Sequence, residues 1–281
     1  MLASLFWDPD PVFIQLPLLG RPLVWYGVLF ALGFFLSFLR SKRLLVSRMA
    51  EGGVKDFKRG ASLYADRLLW AVVIGTLIGA RLGHILFYDL AYYRAHPGEI
   101  IAIWHGGLAS HGGVVGILAA LLVFQWRVGR RYPVSFLRLV DLMAVSVPIA
   151  CLFIRLGNFV NQEILGTPTA LPWAVIFGHP ADRSIPEPRH PVQLYEALAY
   201  LGVFVLLYLA YRRPPIRNRE GCAAGLFFSL TFASRFLLEM VKEPYTSGAL
   251  NTGQWLSIPF ILGGVALAVW AGRKKARKVS S

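Results

Sequence analysis

The chain has 281 residues, 56% of them hydrophobic before glycine is counted, and a mean hydropathy of +0.54. Soluble domains run at about 45–50% apolar residues with glycine included, so this composition excludes an ordinary soluble domain and indicates an integral membrane protein. The formal net charge is +14, but most cations fall in short clusters between apolar runs, a topology signal that argues against nucleic-acid binding.

The first residues, MLASLFWDPDPVF, lack a basic start and carry two aspartates and two prolines. They do not read as a secretory signal, so the first span has to direct insertion itself. A spanning helix needs about 20 mostly apolar residues. Seven segments qualify, near 22–39, 68–89, 112–126, 138–160, 192–211, 222–242 and 255–271, the third lengthened by its Gly-rich start at 106–111. The expectation is an all-α integral membrane protein of seven transmembrane helices, forming a single polytopic domain over 1–281. Gly75, Gly79 and Gly83 make a G-x-x-x-G-x-x-x-G stripe on the second span, which reads as close helix packing. Cys151 and Cys222 stand alone in apolar surroundings and read as small core residues.

Nineteen of the 29 Lys and Arg residues follow the first, third, fifth and seventh spans. The other side has only Arg21, Arg94, Arg183 and Arg189. The positive-inside rule then puts the N-terminus outside and the C-terminus in the cytoplasm. Residues 161–191 form the longest outer segment. They are rich in Pro and Gly but hold Trp173, Val175, Ile176 and Phe177, so a small structured outer cap is expected.

Polar groups inside spans carry the functional signal. An Arg, Lys or Asp at a helix centre costs roughly 2.5–3.5 kcal/mol on insertion scales. Arg81, Arg155, Arg235 and Lys242 each need a reason to be there. In RLGNFVNQEILG, Arg155, Asn158 and Gln162 fall at i, i+3 and i+7, one face of a helix continued past 160. In RFLLEMVK, Arg235 and Glu239 are i, i+4 neighbours that could neutralise each other, with Lys242 continuing the stripe. The acids available are few, and a surplus of guanidiniums suggests an anionic ligand. The planar fork of arginine suits phosphate, and phosphate beside lipid means a phospholipid headgroup. RHPVQLYE, residues 189–196, brings a cation, His190, an amide and a carboxylate to the same outer level. Trp25 reads as an aromatic-belt residue, while Tyr26 could turn its hydroxyl inward.

Among the histidines, His84 reads as a packed residue beside Arg81. The stretch WHGGLASHGG repeats His-Gly-Gly. His105 sits beside Trp104 at the interface. His111 lies deeper, before Gly112 and Gly113, which would let a lipid or peptide approach its ring. On its own His111 is open between packing and catalysis.

Taken together, WYG near the start, GARLGHILFYD, GGLASHGG, RLGNFVNQEILG, RHPVQLYE and RFLLEMVKEP resemble, in order and spacing, the phosphatidylglycerol-prolipoprotein diacylglyceryl transferases of bacteria. The resemblance covers nearly the whole chain. It implies a multi-pass protein of the bacterial plasma (inner) membrane that moves the diacylglyceryl group of phosphatidylglycerol to the lipobox cysteine of a prelipoprotein. A thioether forms and glycerol phosphate leaves. The implied partners are phosphatidylglycerol, prelipoprotein signal peptides with a lipobox cysteine, and membrane lipids. No metal or cofactor is implied. The resemblance puts the essential histidine on His111 and the essential arginines on Arg155 and Arg235. It puts substrate-binding roles on Tyr26, Asn158, Glu163, Gly166 and Glu239, with Arg81, His190 and Lys242 added from the intramembrane pattern. The family usually has arginine at Lys242 and tyrosine at Thr231, so the chain departs from its relatives there.

The chemistry is coherent without the family. A thiol of pKa about 8.5 needs a base, a neutral histidine can supply one, and arginines can hold the departing phosphate. The rival reading is an anion or lipid transporter lined by the same arginines. The charge count makes one expectation that stands apart from the chemistry. Cysteines introduced as Asp182→Cys and Lys55→Cys should label differently with an impermeant thiol reagent on intact cells, the first strongly and the second weakly. Labelling of the second alone would reverse the orientation.

Overall fold

The computed structural model describes residues 5–16, 21–102, 107, 109–243 and 250–274, and at Leu16, Arg21, Ser110, His111, Val114 and Thr252 the backbone alone. The chain falls into two compact units, 1–41 with 140–278, and 42–139.

The first unit opens with short strands β1 (Leu5–Trp7), β2 (Val12–Leu16) and β3 (Arg21–Val24), the last two paired as an antiparallel hairpin. The hairpin runs directly into α1 (Trp25–Glu51), whose N-terminal part belongs to this unit. After α5 (Phe136–Ala144) comes α6 (Val147–Val160). The segment expected as one span, 138–160, is bent by 41° at this junction. Pro148 explains the break: it has no N–H to donate and is favoured in a helix's first turn. The α6 helix then stops at Val160, so Gln162 does not extend the stripe of Arg155 and Asn158. Its backbone is left-handed, with φ 54°.

Residues 161–191 are non-helical and contain β4 (Val175–Phe177) and β5 (Pro188–Arg189). The N-terminal β1 joins them, parallel to β4, with Leu5 opposite Val175 and Trp7 opposite Phe177. β4 pairs antiparallel with β5. Phe159, Leu165, Val175 and Phe177 form a small core under this sheet, against which Trp7 and Leu194 pack. Trp7 donates its indole N–H to the Phe159 carbonyl at 3.0 Å. Asp8 adds a polar clasp, meeting His179 Nδ1 at 2.6 Å and accepting from Gln162 Nε2 at 3.1 Å. Those two partners hold the Asp8 carboxyl below the usual carboxylate range.

Then follow α7 (Val192–Tyr211), the short α8 (Pro214–Arg217), α9 (Cys222–Leu238) and α10 (Thr252–Arg273). The fully buried Asp141 accepts the Gly221 and Ala224 amides at 2.8 and 2.9 Å, which satisfies its charge at the otherwise open start of α9. Close approach sets the helix packing elsewhere in this unit: a Cβ on Gly33 would sit 2.6 Å from Phe153 Cβ.

The second unit holds the rest of α1, α2 (Phe57–Phe87), α3 (Leu90–Ala95) and α4 (Ser110–Arg127). The glycine stripe packs as expected, and it meets a second stripe. A Cβ on Gly83 would lie 2.6 Å from Gly112 Cα, and one on Gly79 would lie 2.6 Å from Gly116 Cα. Gly112 is thus used for backbone contact between α2 and α4.

Among the described residues, α2, α7, α9 with its following turn, and α10 are long and apolar enough to cross a membrane, and the bent α5–α6 pair makes a fifth candidate. The first and third expected spans correspond to α1 and α4. The apolar part of α1 ends at Leu39, before Arg40, Lys42 and Arg43, and α4 opens on Ser-His-Gly-Gly and closes on Gln-Trp-Arg. The protein is mostly helical, with four to five candidate membrane spans among the described residues, as an all-α membrane protein would have. Gly79→Val, which drives a side chain into the facing helix, should lower the melting temperature in detergent by about 2–10 °C, since overpacking costs typically 1–3 kcal/mol. Gly27→Ala, where a Cβ meets nothing within 4 Å, is the control. Equal melting of the two variants would refute the contact.

Candidate active site

In the first unit a chain of polar side chains joins α6, the segment after it, α7 and the turn after α9. Arg155, on α6, meets Glu196 of α7, with Nε 2.8 Å from Oε2. Its Nη1 donates to Asn158 Oδ1 at 3.1 Å, one helical turn on. Asn158 Nδ2 donates to Glu163 Oε2 at 2.8 Å, and Asn161 Nδ2 to the other oxygen at 3.1 Å. Gln193 Nε2 donates to the Glu163 carbonyl at 2.6 Å, which fixes the turn that carries this acid. On the far side of Glu196, Lys242 Nζ donates to Oε1 at 2.8 Å, and it also reaches Glu239 Oε2 at 3.2 Å. Glu196 is 1% exposed and Lys242 6%. Charges this buried persist only when paired and hydrogen-bonded.

The glycines of the motif make room for these groups. Tyr26 of α1 lies over Gly157, where a Cβ would be 2.8 Å from its ring. Gly166 bridges antiparallel to Lys242, and a Cβ there would come 2.6 Å from Val192 and 2.7 Å from the His190 Cβ. His190 Nδ1 lies 3.2 Å from the Tyr195 hydroxyl. Arg189 is spent on structure, donating to Glu243, to Glu187 at 2.6 Å and to the Gly166 carbonyl at 3.2 Å. Gly253 at the start of α10 leaves space for the Glu239 carboxylate, and Asn251 Nδ2 donates to the Glu239 carbonyl at 3.2 Å.

Arg235 behaves differently. The expected exchange of charge with Glu239 is absent, because Glu239 turns to Lys242. Arg235 is half-buried, and among the described residues it has no hydrogen bond or ion pair. Tyr200 of α7 is buried within electrostatic reach of both Arg155 and Arg235. Sequence reasoning missed Glu196 as a site residue and Tyr200 altogether. Glu196 was visible as the last residue of RHPVQLYE. Tyr200 lies one turn beyond it, on an apolar helix with nothing to single it out. Thr231, the other departure, is buried with its hydroxyl unpartnered among the described residues.

Arg81 lies in the second unit. Its Nε donates to the Ile100 carbonyl at 2.8 Å, and its other nitrogens to Glu99, Gly107 and Ala102 at 2.5, 3.1 and 3.2 Å. It stacks over the Tyr93 ring at 4.8 Å. His84 pairs with Asp89 at 2.9 Å. His111 is in the first turn of α4, with its side chain outside the description, and His105 lies outside the described residues. The surplus of cations inferred from the sequence therefore narrows. Glu196 and Glu239 together balance Arg155 and Lys242, carbonyls accept from Arg81, and Arg235 keeps its charge available.

A family model described as prolipoprotein diacylglyceryl transferase matches residues 11–270. The chain is 43% identical over 278 residues to the phosphatidylglycerol-prolipoprotein diacylglyceryl transferase of Tolumonas auensis, covering 97% of this chain and all of the relative. It is 41% identical over 283 residues to the enzyme of that name from Porphyromonas gingivalis, covering 96% and 95%. It is 37% identical over 356 residues to that of Protochlamydia amoebophila, again covering 96% and 95%. With sequence order, buried charge network and full-length likeness in agreement, this chain belongs to the prolipoprotein diacylglyceryl transferase family.

Proposed function

We propose that the protein transfers the diacylglyceryl group of phosphatidylglycerol to the lipobox cysteine of prelipoproteins, as the names of its relatives state for them. The transport reading finds no support among these relatives. The observation that carries the mechanism is the pairing of Arg155 with Glu196 while Arg235 stays without an ion pair among the described residues. Arg235 grips the phosphate as a bidentate fork, and Arg155, oriented by Glu196 and Asn158, stabilises the charge that develops on it. His111 takes the thiol proton. The sulfur attacks the glyceryl carbon, the S–C bond forms as the C–O bond to phosphate breaks, and glycerol phosphate leaves with both electrons of that bond. Tyr26, Asn158, Glu163 and Gly166 shape the headgroup site. Glu239 and Lys242 hold Glu196 from the opposite side, and His190 braces the approach to α7. Arg81 orders the loop after α3 and acts on lipid from there.

The protein works as one polytopic domain in the bacterial inner membrane. In this reading seven spans leave the N-terminus and the cap at about 161–191 outside and the C-terminus in the cytoplasm. The asymmetry of nineteen cations supports this arrangement.

Arg155→Lys keeps the charge but loses the fork, and should lose most transfer activity at normal membrane abundance. Lys242→Arg should be tolerated or faster, since a guanidinium can reach both Glu196 and Glu239. Full activity in the first would reduce Arg155 to a structural charge, and collapse in the second would mean that this site is built differently from that of its relatives. For the base, His111→Asn should slow transfer to a lipobox peptide by about 10²–10⁴-fold, with phosphatidylglycerol binding little changed. His105→Asn should stay within a few-fold of the unaltered protein. Equal losses in both, or a His111 variant that fails only to bind lipid, would remove His111 from proton transfer.

A further inference from the structure

The second unit contains a furrow of about 980 Å³ between α2 and α4, lined by none of the polar groups of the Arg155 network. Its floor is the bare backbone of Gly75, Gly79, Gly112 and Gly116, where the two helices touch. Its walls are apolar, with Ile74, Ile78, Leu82, Val115 and Val123 all exposed. The lining runs along α2 from Arg67 to Phe87, about 30 Å at 1.5 Å per residue, the thickness of a bilayer's hydrocarbon core.

Charge lies at one end only. Arg67 on α2 and Arg127 at the end of α4 both line the furrow, and both are exposed. Among the described residues neither has a carboxylate partner. Arg127 rests against the Trp126 ring at 5.7 Å. An apolar trough closed by two guanidiniums matches a molecule with long hydrocarbon chains and one anionic head. A transmembrane helix laid there would instead bury both arginines against apolar side chains, which is costly.

We propose that this furrow is a binding site for one anionic phospholipid, drawn from the leaflet on the Arg67 and Arg127 side. Its acyl chain lies along the glycine floor and its phosphate sits between the two arginines. The site does not rest on the catalytic reading, because it shares no residue with the Arg155 network.

The test uses the full-length protein in detergent and native mass spectrometry with phosphatidic acid and phosphatidylcholine of matched chains. Phosphatidic acid supplies the anionic head without being the substrate. The unaltered protein and Arg155→Lys should both retain phosphatidic acid in preference. The double variant Arg67→Gln with Arg127→Gln should lose that preference by about 25-fold, a factor of about five for each arginine. Its diacylglyceryl transfer with excess phosphatidylglycerol should stay within twofold, which separates the furrow from the active site. Equal retention of the two lipids by the unaltered protein would overturn the proposal, as would an unchanged preference in the double variant. Loss of transfer with the preference intact would assign the arginines to the reaction and overturn it too. Disulfide cross-linking of Ile78→Cys between copies in membranes would put a second chain on this face, with the same consequence.

Discussion

The first unit is organised around one carboxylate. Glu196 is 1% exposed and touches Arg155 on one oxygen and Lys242 on the other. Three segments that are far apart in sequence meet through it: α6, α7 and the turn after α9. A buried ion pair is no guarantee of stability, since desolvation can offset the Coulomb gain. Removing one member is another matter, because the charges left behind have no water to turn to and the cost rises to about 3–5 kcal/mol. The polar chain from Glu163 to Glu239 is therefore held as a unit, and each member constrains the rotamer of the next.

That constraint separates two arginines that look alike in sequence. Arg155 is fixed in place by Glu196 and Asn158. Arg235 has no such anchor among the described residues, and the acid four positions on is committed to Lys242. A site that must hold an anionic headgroup and release an anionic product needs both kinds of cation, one preorganised and one whose charge is not already spent.

Much of this was legible in the sequence. Helix positions followed from apolar run length, and the glycine stripe on α2 foretold the contact that α4 completes. The motif RLGNFVNQEILG marked the polar cluster. The misses have physical causes. The break at Pro148 was hidden inside a continuous apolar run. The helix end at Val160 depends on left-handed backbone at Gln162, which no side-chain periodicity announces. Glu196 was read only as one polar group among several in RHPVQLYE, since nothing in the sequence shows that it meets Arg155 and Lys242. The pairing of β1 with β4 joins residues 170 positions apart, with only three residues on each side to signal it. The carbonyls that Arg81 meets, those of Glu99, Ile100, Ala102 and Gly107, are also invisible in a sequence.

The pairing of β1 with β4 also orders events in time. Leu5–Trp7 are made before Val175–Phe177, which follow some 170 positions later. At about 5–20 residues per second, that interval is about 10–30 s of synthesis. Throughout it the N-terminal strand has no partner, while Leu5 and Phe6, exposed even in the finished protein, offer an apolar edge. The small sheet is thus a late closure, a clasp fastened by a strand made well before α6 to one made after it. Its backbone hydrogen bonds are long-range contacts whose loop entropy is met only when most of the helices exist.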